Sequence, residues 1–299
     1  MPDIKKIEYS QDKPFFVWEL EFSEIFKGEN PGFDIVIGNP PYVLLQNMNC
    51  SEDTKKYLET TYEVSQYKID LYHLFYEKGI KLLKNNGILG YITPNTFLMN
   101  IHLSKLRNFI LNETCIKQIV LNNNEVFKAA KVDTLICILK KEPENSVRIN
   151  NSIIVREMEE NTNIIRNEIT KQEIFANDEN YLFNTNITNE NSFILRFISK
   201  DFLKLKEIAH PYFGIQTYDK KKFVSKIKID DTYKPCVNGK NITPYHLDNE
   251  FEYVKFIPEA IKSGGKQEVY ENEKLFVRQI GQHPIATFGD KGIYSLNTV

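Results

Sequence analysis

Cysteine is scarce and scattered. The four residues Cys50, Cys115, Cys137 and Cys236 stand singly, with no Cys-x-x-Cys or Cys/His cluster. That spacing argues against structural zinc and against a disulfide framework, so no bound metal is expected. No apolar run reaches the roughly 18 residues that a membrane-crossing helix needs. The first residues, 1–8, are charged and carry no apolar signal core. A cytoplasmic protein with no membrane partner is the expectation. Net charge is scarce too: 38 basic residues against 40 acidic ones leave a formal charge of -2. No global electrostatic argument for nucleic acid follows, and affinity for it must come from local charge. Glycine is thin ahead of residue 39, where Gly28 and Gly32 stand isolated in a polar stretch.

What is present is enough for one large domain or two ordinary ones: 299 residues, 41% hydrophobic and 12% aromatic. Phe33-Asp34-Ile35-Val36-Ile37 reads as a short buried strand. It must stop at Gly38 and the two prolines behind it, because proline cannot donate to a ladder. A helix is expected over residues 51–61 with Ser51 as its N-cap. Leu71, Leu74, Phe75, Lys78, Ile80, Leu82 and Leu83 fit a second, amphipathic helix whose apolar face covers a sheet. Residues 88–93 then read as a buried strand stopped by Pro94, 101–112 as a helix, and 116–121 and 134–139 as strands. Alternation of this kind predicts an open, mostly parallel α/β sheet. The last two strands have only a loop between them, so they are expected as antiparallel neighbours at one edge. Residues 142–190 are rich in Asn, Glu and Asp and read as an edge strand or two and a connector. A helix is expected near residues 193–208, and the remainder is punctuated by Gly and Pro and strand-like.

The sharpest signal is Asn39-Pro40-Pro41-Tyr42, directly behind the first strand. In an open α/β sheet, ligands sit beyond the carboxyl ends of strands. The exocyclic amine of adenine is a poor nucleophile because its lone pair is delocalised into the ring. Two acceptors on its two N–H bonds pull that nitrogen toward tetrahedral geometry. The Asn39 side-chain oxygen can be one, and the Pro40 carbonyl, in a chain stiffened by Pro41, the other. Tyr42 offers a flat face for a purine. A fixed loop of acceptors is preorganised electrostatics rather than acid–base catalysis. The competing reading is a plain turn, which Asn-Pro also favours; position behind a buried strand speaks for the site.

Residues 33–42 resemble the catalytic motif of amino-methyltransferases that use S-adenosylmethionine. Phe16-Val17-Trp18-Glu19-Leu20-Glu21-Phe22 resembles the lead-in of type IIG restriction–modification enzymes and related adenine methylases. Tyr67-Lys68-Ile69-Asp70-Leu71-Tyr72-His73-Leu74-Phe75 is similar to a TaqI-like segment whose phenylalanine lies against the cofactor adenine, and Phe75 matches it. On residue pattern alone Phe75 could equally be core. Glu125-Val126-Phe127 is similar to the segment whose aromatic stacks on the flipped target base, at Phe127. Such enzymes must extrude the base and hold it between flat faces, here Tyr42 and Phe127. Lys131, in the same loop, is either a phosphate contact or a solvated lysine. The resemblance implies S-adenosylmethionine as cofactor, contacted by Phe75 and Asn39, and double-stranded DNA as partner. It implies an α/β fold: a partial Rossmann-like methyltransferase sheet with an antiparallel edge, then a mixed α+β target-recognition domain. Residues 1–160 would be the C-terminal part of the catalytic domain, 161–191 a connector and 192–299 the recognition domain. This class holds the methionine end of its cofactor with a glycine-rich loop, which in this order would lie upstream. The chain is therefore expected to be a piece of a larger parent that supplies the cofactor-binding segment, with a nuclease segment left open, and to be inactive alone.

Residues 209–299 resemble TaqI-like and type IIG target-recognition domains through Phe213-Gly214-Ile215-Gln216-Thr217, Pro235-Cys236-Val237-Asn238-Gly239-Lys240-Asn241-Ile242 and Leu275-Phe276-Val277-Arg278-Gln279-Ile280. Residues 200–240 hold ten lysines against five acidic residues. That local excess suits a phosphate backbone, or else a solvated face. Lys220, Lys221 and Lys222 are its densest cluster; Gln216 and Lys240 are further DNA candidates. Arg278 and Gln279 are the side chains best suited to base edges. Two other functions stay open: methylation of a glutamine amide in a protein, which the same loop chemistry suits, and DNA recognition without catalysis.

Overall fold

β1 (Phe33–Gly38) ends where the prolines begin. The computed structural model describes residues 16–122, 133–159, 163–281 and 283–299. Phe127 and Lys131 lie outside the described residues. The chain divides into two units, Met1–Asp201 and Phe202–Val299.

In the first unit, a short helix α1 (Trp18–Glu21) leads toward β1. Trp18 and Phe22 meet Phe33 edge-on, with ring centroids 5.7 and 5.4 Å away. Gly32, at φ +118°, makes the turn into β1, and a Cβ there would stand 2.5 Å from the Lys84 nitrogen. Helix α2 (Glu52–Thr61) is capped by Ser51, whose hydroxyl accepts from Thr54 N at 3.2 Å. Helix α3 (Leu71–Leu82) runs straight into β2 (Leu83–Pro94), parallel to β1. Then come α4 (Ser104–Glu113), β3 (Thr114–Asn122), β4 (Thr134–Lys141), α5 (Asn145–Ile149), β5 (Ser152–Glu159), β6 (Asn163–Lys171), α6 (Gln172–Ala176) and α7 (Asn189–Asp201).

The six strands lie in the order β1-β2-β4-β3-β5-β6. β3 and β4 are antiparallel neighbours, as their short connection requires, but they are not at the edge. β4 runs between β2 and β3, antiparallel to both. Its unbroken apolar run, Thr134-Leu135-Ile136-Cys137-Ile138-Leu139, suits a strand paired on two sides. The antiparallel edge is β6, paired with β5. β6 and the following α6 fall in the segment read from sequence as a connector, and α7 starts three residues before the expected recognition domain. β6 is an edge strand of the kind expected in residues 142–190, whereas α6 was not expected there; β6 keeps Ile164, Ile165 and Ile169 exposed and finds its place by pairing with β5.

The two faces of this sheet are unlike. Leu89, Ile116, Ile119, Leu135, Cys137, Leu139, Ile153 and Val155 are buried in one core with the apolar sides of α3 and α4. Across the other face runs a row in register: Ile37, Gly90, Ile138, Gln118, Ile154 and Ile169. Here Ile138 and Ile154 are half-buried, while Ile37 is 83% and Ile169 55% exposed. β1 is thus not the buried strand its composition suggested. Among the described residues it pairs on one side only, and Ile35 and Ile37 are exposed; Val36 alone packs on the core.

The second unit is built of short strands. β7 (Gln216–Thr217), β8 (Val224–Ser225), β9 (Tyr233–Val237), β10 (Ile242–Thr243), β11 (His246–Leu247), β12 (Glu252–Lys255), β13 (Ile261–Ser263), β14 (Lys274–Val277), β15 (Ala286–Gly289) and β16 (Tyr294–Ser295) alternate with helices α8 (Leu205–Ile208), α9 (Lys220–Phe223) and α10 (Gln267–Tyr270). The largest sheet is β16-β9-β12-β8. Its core centres on Tyr270 stacked on Tyr294 at 4.6 Å, with Ile215, Cys236, Val254 and Leu296 around them. The helix expected over 193–208 is two helices. The second starts anew where the Glu207 carboxylate accepts from Lys204 N at 3.2 Å.

Candidate active site and nucleic-acid interface

The 39–42 loop leaves the carboxyl end of β1 and is held from three sides. Asn39 and Pro41 are exposed, Pro40 is buried and Tyr42 is half-buried. Tyr42 Oη donates to the Ile92 carbonyl at 3.2 Å, tying the loop to the end of β2. Just beyond, Leu71 N donates to the Val43 carbonyl at 3.0 Å and Leu45 N to the Ile69 carbonyl at 2.9 Å. These two bonds strap the loop to the start of α3. The Tyr42 ring meets Tyr72 edge-on at 6.3 Å, and burial pushes the Tyr42 hydroxyl above its ordinary pKa.

A cavity lies on each side of the loop. One, of about 750 Å³, has Asn39 and Pro40 in its wall together with Leu71, Phe75, Tyr62 and Ile35. Phe75 is 44% exposed on a helix whose Leu74, Ile80 and Leu82 are nearly sealed, so it is a wall residue and not core. α3 approaches β2 closely enough to form this wall because residue 79 is glycine. A Cβ there would fall 2.5 Å from Tyr91 Oη and 2.7 Å from Leu89 Cδ1. Tyr91 Oη donates to the Phe75 carbonyl at 3.4 Å, and burial pushes that phenol up to about 12. The other cavity, of about 560 Å³, has Tyr42, Tyr67, Tyr72, Asp70, His73 and Thr96 in its wall.

Asp70 is the N-cap of α3, and its backbone N donates to His73 Nδ1 at 3.2 Å. Burial drives the His73 imidazole down to about 4 and the Asp70 carboxyl up from its ordinary range. His73 is 3% exposed, yet among the described residues its Nε2 has no partner, and neither has Asp70 Oδ1. Sequence reading quoted both residues but missed their role in this wall, because orphaned atoms are a property of packing.

The larger cavity fits one end of S-adenosylmethionine. Phe75, Leu71 and Tyr62 offer flat and apolar surface for an adenine ring. No acidic side chain lines this cavity among the described residues, so the wall offers no carboxylate to the hydroxyls of a ribose. Among the described residues there is no cluster that could hold a metal ion, and no helix long and apolar enough to cross a membrane.

In the second unit every DNA candidate is exposed: Gln216, Lys220, Lys221, Lys222, Lys240, Arg278 and Gln279. Three of them converge. Gly239 N donates to Thr298 Oγ1 at 2.9 Å and Gln279 N to the Thr298 carbonyl at 3.0 Å. A Cβ on Gly239 would lie 3.5 Å from Arg278 Cγ. Lys240, Arg278 and Gln279 therefore stand around one residue. Lys220, Lys221 and Lys222 form α9, capped by Asp219 Oδ1, which accepts from Lys221 N at 2.9 Å. Gln216 sits apart in sequence on β7, paired with Ser263. One residue escaped the sequence reading altogether. Tyr245, in the turn between β10 and β11, is 97% exposed at φ +61°. An exposed aromatic in the left-handed region is a feature that only folding reveals.

Two family matches divide the chain. Residues 2–127 match the Eco57I restriction-modification methylase, and residues 234–299 match the TaqI-like C-terminal specificity domain. The chain carries an Eco57I methylase domain followed by a TaqI-like specificity domain. The methylase match contains the 39–42 loop and Phe75, and also Phe127; the specificity match contains Lys240, Arg278 and Gln279. A putative type II restriction enzyme and methyltransferase of Methanocaldococcus jannaschii is 36% identical over 139 residues, 46% of this chain and 11% of that protein. The type II restriction enzyme and methyltransferase RM.Eco57I of Escherichia coli is 37% identical over 117 residues, 38% of this chain and 12% of that protein. The matched part of the methylase chain thus spans about a tenth of these relatives' length. Among solved structures, the type IIL restriction-modification enzyme MmeI in complex with DNA has a TM-score of 0.53 at 12% identity, covering 88% of this chain and 40% of its own. That likeness shows the fold.

Proposed function

We propose that this chain is the base-gripping and DNA-recognising part of a restriction–modification methyltransferase that transfers a methyl group from S-adenosylmethionine to adenine N6 in double-stranded DNA. The observation that carries the reading is the 39–42 loop, fixed at the end of β1 with a cavity on either side. The larger cavity takes the cofactor's adenine against Phe75. The smaller one takes the extruded target base, with Tyr42 as a stacking face. Phe127 supplies the opposite face in this reading, and Lys131 a phosphate contact. The cofactor brings an electrophilic methyl on a sulfonium. The chain's own part is to hold the nucleophile: the Asn39 side-chain oxygen and the Pro40 carbonyl accept the two N6 hydrogens and localise the nitrogen lone pair.

The specificity domain holds the duplex. Lys220, Lys221 and Lys222 meet the phosphate backbone, with Gln216 beside it, while Lys240, Arg278 and Gln279 reach base edges from around Thr298. The glycine-rich loop for the methionine end of the cofactor comes from outside this sequence, and the chain by itself transfers no methyl.

The test uses methyl-labelled S-adenosylmethionine and mixed-sequence DNA, with the chain alone and with the upstream sequence of its gene restored. Label is expected in DNA only in the second case. Asn39→Ala in the longer protein is expected to cut transfer by about 10³-fold or more, as loss of a preorganised acceptor does, while leaving DNA binding unchanged. Full transfer by that variant would end the catalytic assignment.

A further inference from the structure

The wall of the smaller cavity includes His73, which carries a hydrogen-bond donor that no described residue uses. Three of its hydroxyls are spoken for: Tyr42 Oη donates to the Ile92 carbonyl, and the Tyr72 and Thr96 hydroxyls meet at 3.3 Å. His73 differs. Its Nδ1 receives the Asp70 N–H at 3.2 Å, so that nitrogen carries the ring's lone pair. Burial keeps the imidazole neutral down to about pH 4, and the one remaining hydrogen then belongs to Nε2. Among the described residues that Nε2 has no partner, on a side chain only 3% exposed. Capping α3 explains Nδ1. It leaves Nε2 unexplained, and buried donors are rarely left unmade.

The wall says what would complete it. Tyr42, Tyr67 and Tyr72 give the cavity three aromatic rings, suited to a flat ligand. Tyr67 is held at φ +51° and stacks on His102 at 4.6 Å, so its position at the rim is fixed at a backbone cost. Asp70 Oδ1, in the same wall, is an acceptor unpaired among the described residues and disfavours an anionic group such as phosphate beside it, while the wall's one cation, Lys68, lies over the Tyr67 ring at 5.7 Å. The missing acceptor is therefore neutral, and on a nucleobase that is a ring nitrogen.

Building on the base-holding role proposed above for Tyr42, we infer that His73 is a base-binding residue whose Nε2–H donates to a ring nitrogen of the extruded adenine. The bond would sort bases as well as hold them. On the Watson–Crick edge, a fixed donor can donate to adenine N1 or cytosine N3 and meets a hydrogen on guanine N1 or thymine N3.

Two variants separate this role from the cap. In His73→Asn the amide oxygen replaces Nδ1 and keeps the acceptor for Asp70 N, while Nε2 is lost. In His73→Gln the terminal NH₂ stands near Nε2 and the cap acceptor is lost. The probe is a labelled duplex with one unpaired adenine, alongside the same duplex with an abasic site or with 1-, 3- or 7-deazaadenine at that position. Affinity is read by fluorescence anisotropy. Wild type is expected to prefer adenine over the abasic site and to lose about tenfold with one of the three deaza bases, the worth of one buried hydrogen bond. His73→Asn is expected to show that loss with adenine itself and no further loss with the sensitive deaza base. His73→Gln should recover most of the affinity. Equal binding of adenine and all three deaza bases by wild type overturns the inference without any variant, as does a His73→Asn protein that binds like wild type. If wild type does not distinguish adenine from the abasic site, the base-holding role of the cavity fails as well.

Discussion

Leu139 and Ile138 are neighbours on β4 and opposites in the fold. Leu139 is fully buried against the helices, whereas Ile138 is half-buried in the row that runs from Ile37 to Ile169. Both are apolar, and nothing in their composition separates them. The difference teaches that an apolar strand face states a need for cover, not that cover is provided. α3 and α4 both lie on the Leu139 side, and the 39–42 loop, strapped to α3, inherits its rigidity from that side.

The comparison can be broken from its rigid side first. Arg107 is 0% exposed and donates to the Phe97, Asn100 and Asn180 carbonyls at 2.6, 2.7 and 2.8 Å. Burial lowers its guanidinium to about 10, yet it stays charged at neutral pH. Arg107→Ala leaves three carbonyls without their donor and is expected to cost about 4 kcal/mol in urea denaturation. A cost below about 1 kcal/mol would show that these carbonyls find other partners. Leu139→Ala is next, at about 3 kcal/mol, because it opens a cavity in a packed core.

Acid should act on the same side. His73 is neutral in the fold down to about pH 4, while an unfolded imidazole takes up a proton below 6.5. Its contribution is therefore complete above pH 6.5 and is lost as the pH falls toward about 4. The full span is worth about 3 kcal/mol. Asp70, whose pKa burial raises, works in the opposite sense. The fair measure is thus the difference between wild type and His73→Asn in urea midpoint at pH 7 and pH 4. An identical acid response in the two proteins would mean that the imidazole titrates freely in the fold. The smallest effect is expected on the open face, where Ile138→Ala should cost about 1 kcal/mol, in proportion to its smaller burial. If Ile138→Ala cost as much as Leu139→Ala, the two faces would be equally covered.

Much of the site was legible because its signals are local. Asn39-Pro40-Pro41-Tyr42 announces itself through residue type and position behind a strand, and the structure places it at a carboxyl strand end. Ser51 marks a helix start through its own hydroxyl, which does cap α2. Phe75 was legible as a place but not as an environment. Its helical spacing allowed core, and only the approach of α3 to β2 at Gly79 leaves it in a cavity wall. Lys240, Arg278 and Gln279 were separate candidates until Thr298 joined them.

The sequence by itself determined the strands and helices of the methylase domain, the stop after β1 and the chemistry of the loop behind it. Each depends on residues close together in the chain: proline cannot donate, serine caps, and apolar spacing sets a face. Only the tertiary structure decided that β4 lies between β2 and β3, that β6 forms the antiparallel edge, that Ile37 is open, and that His73 keeps an unused donor beside Tyr42. Those outcomes depend on which distant segments meet, and pairing and burial between distant segments are not written in any local pattern.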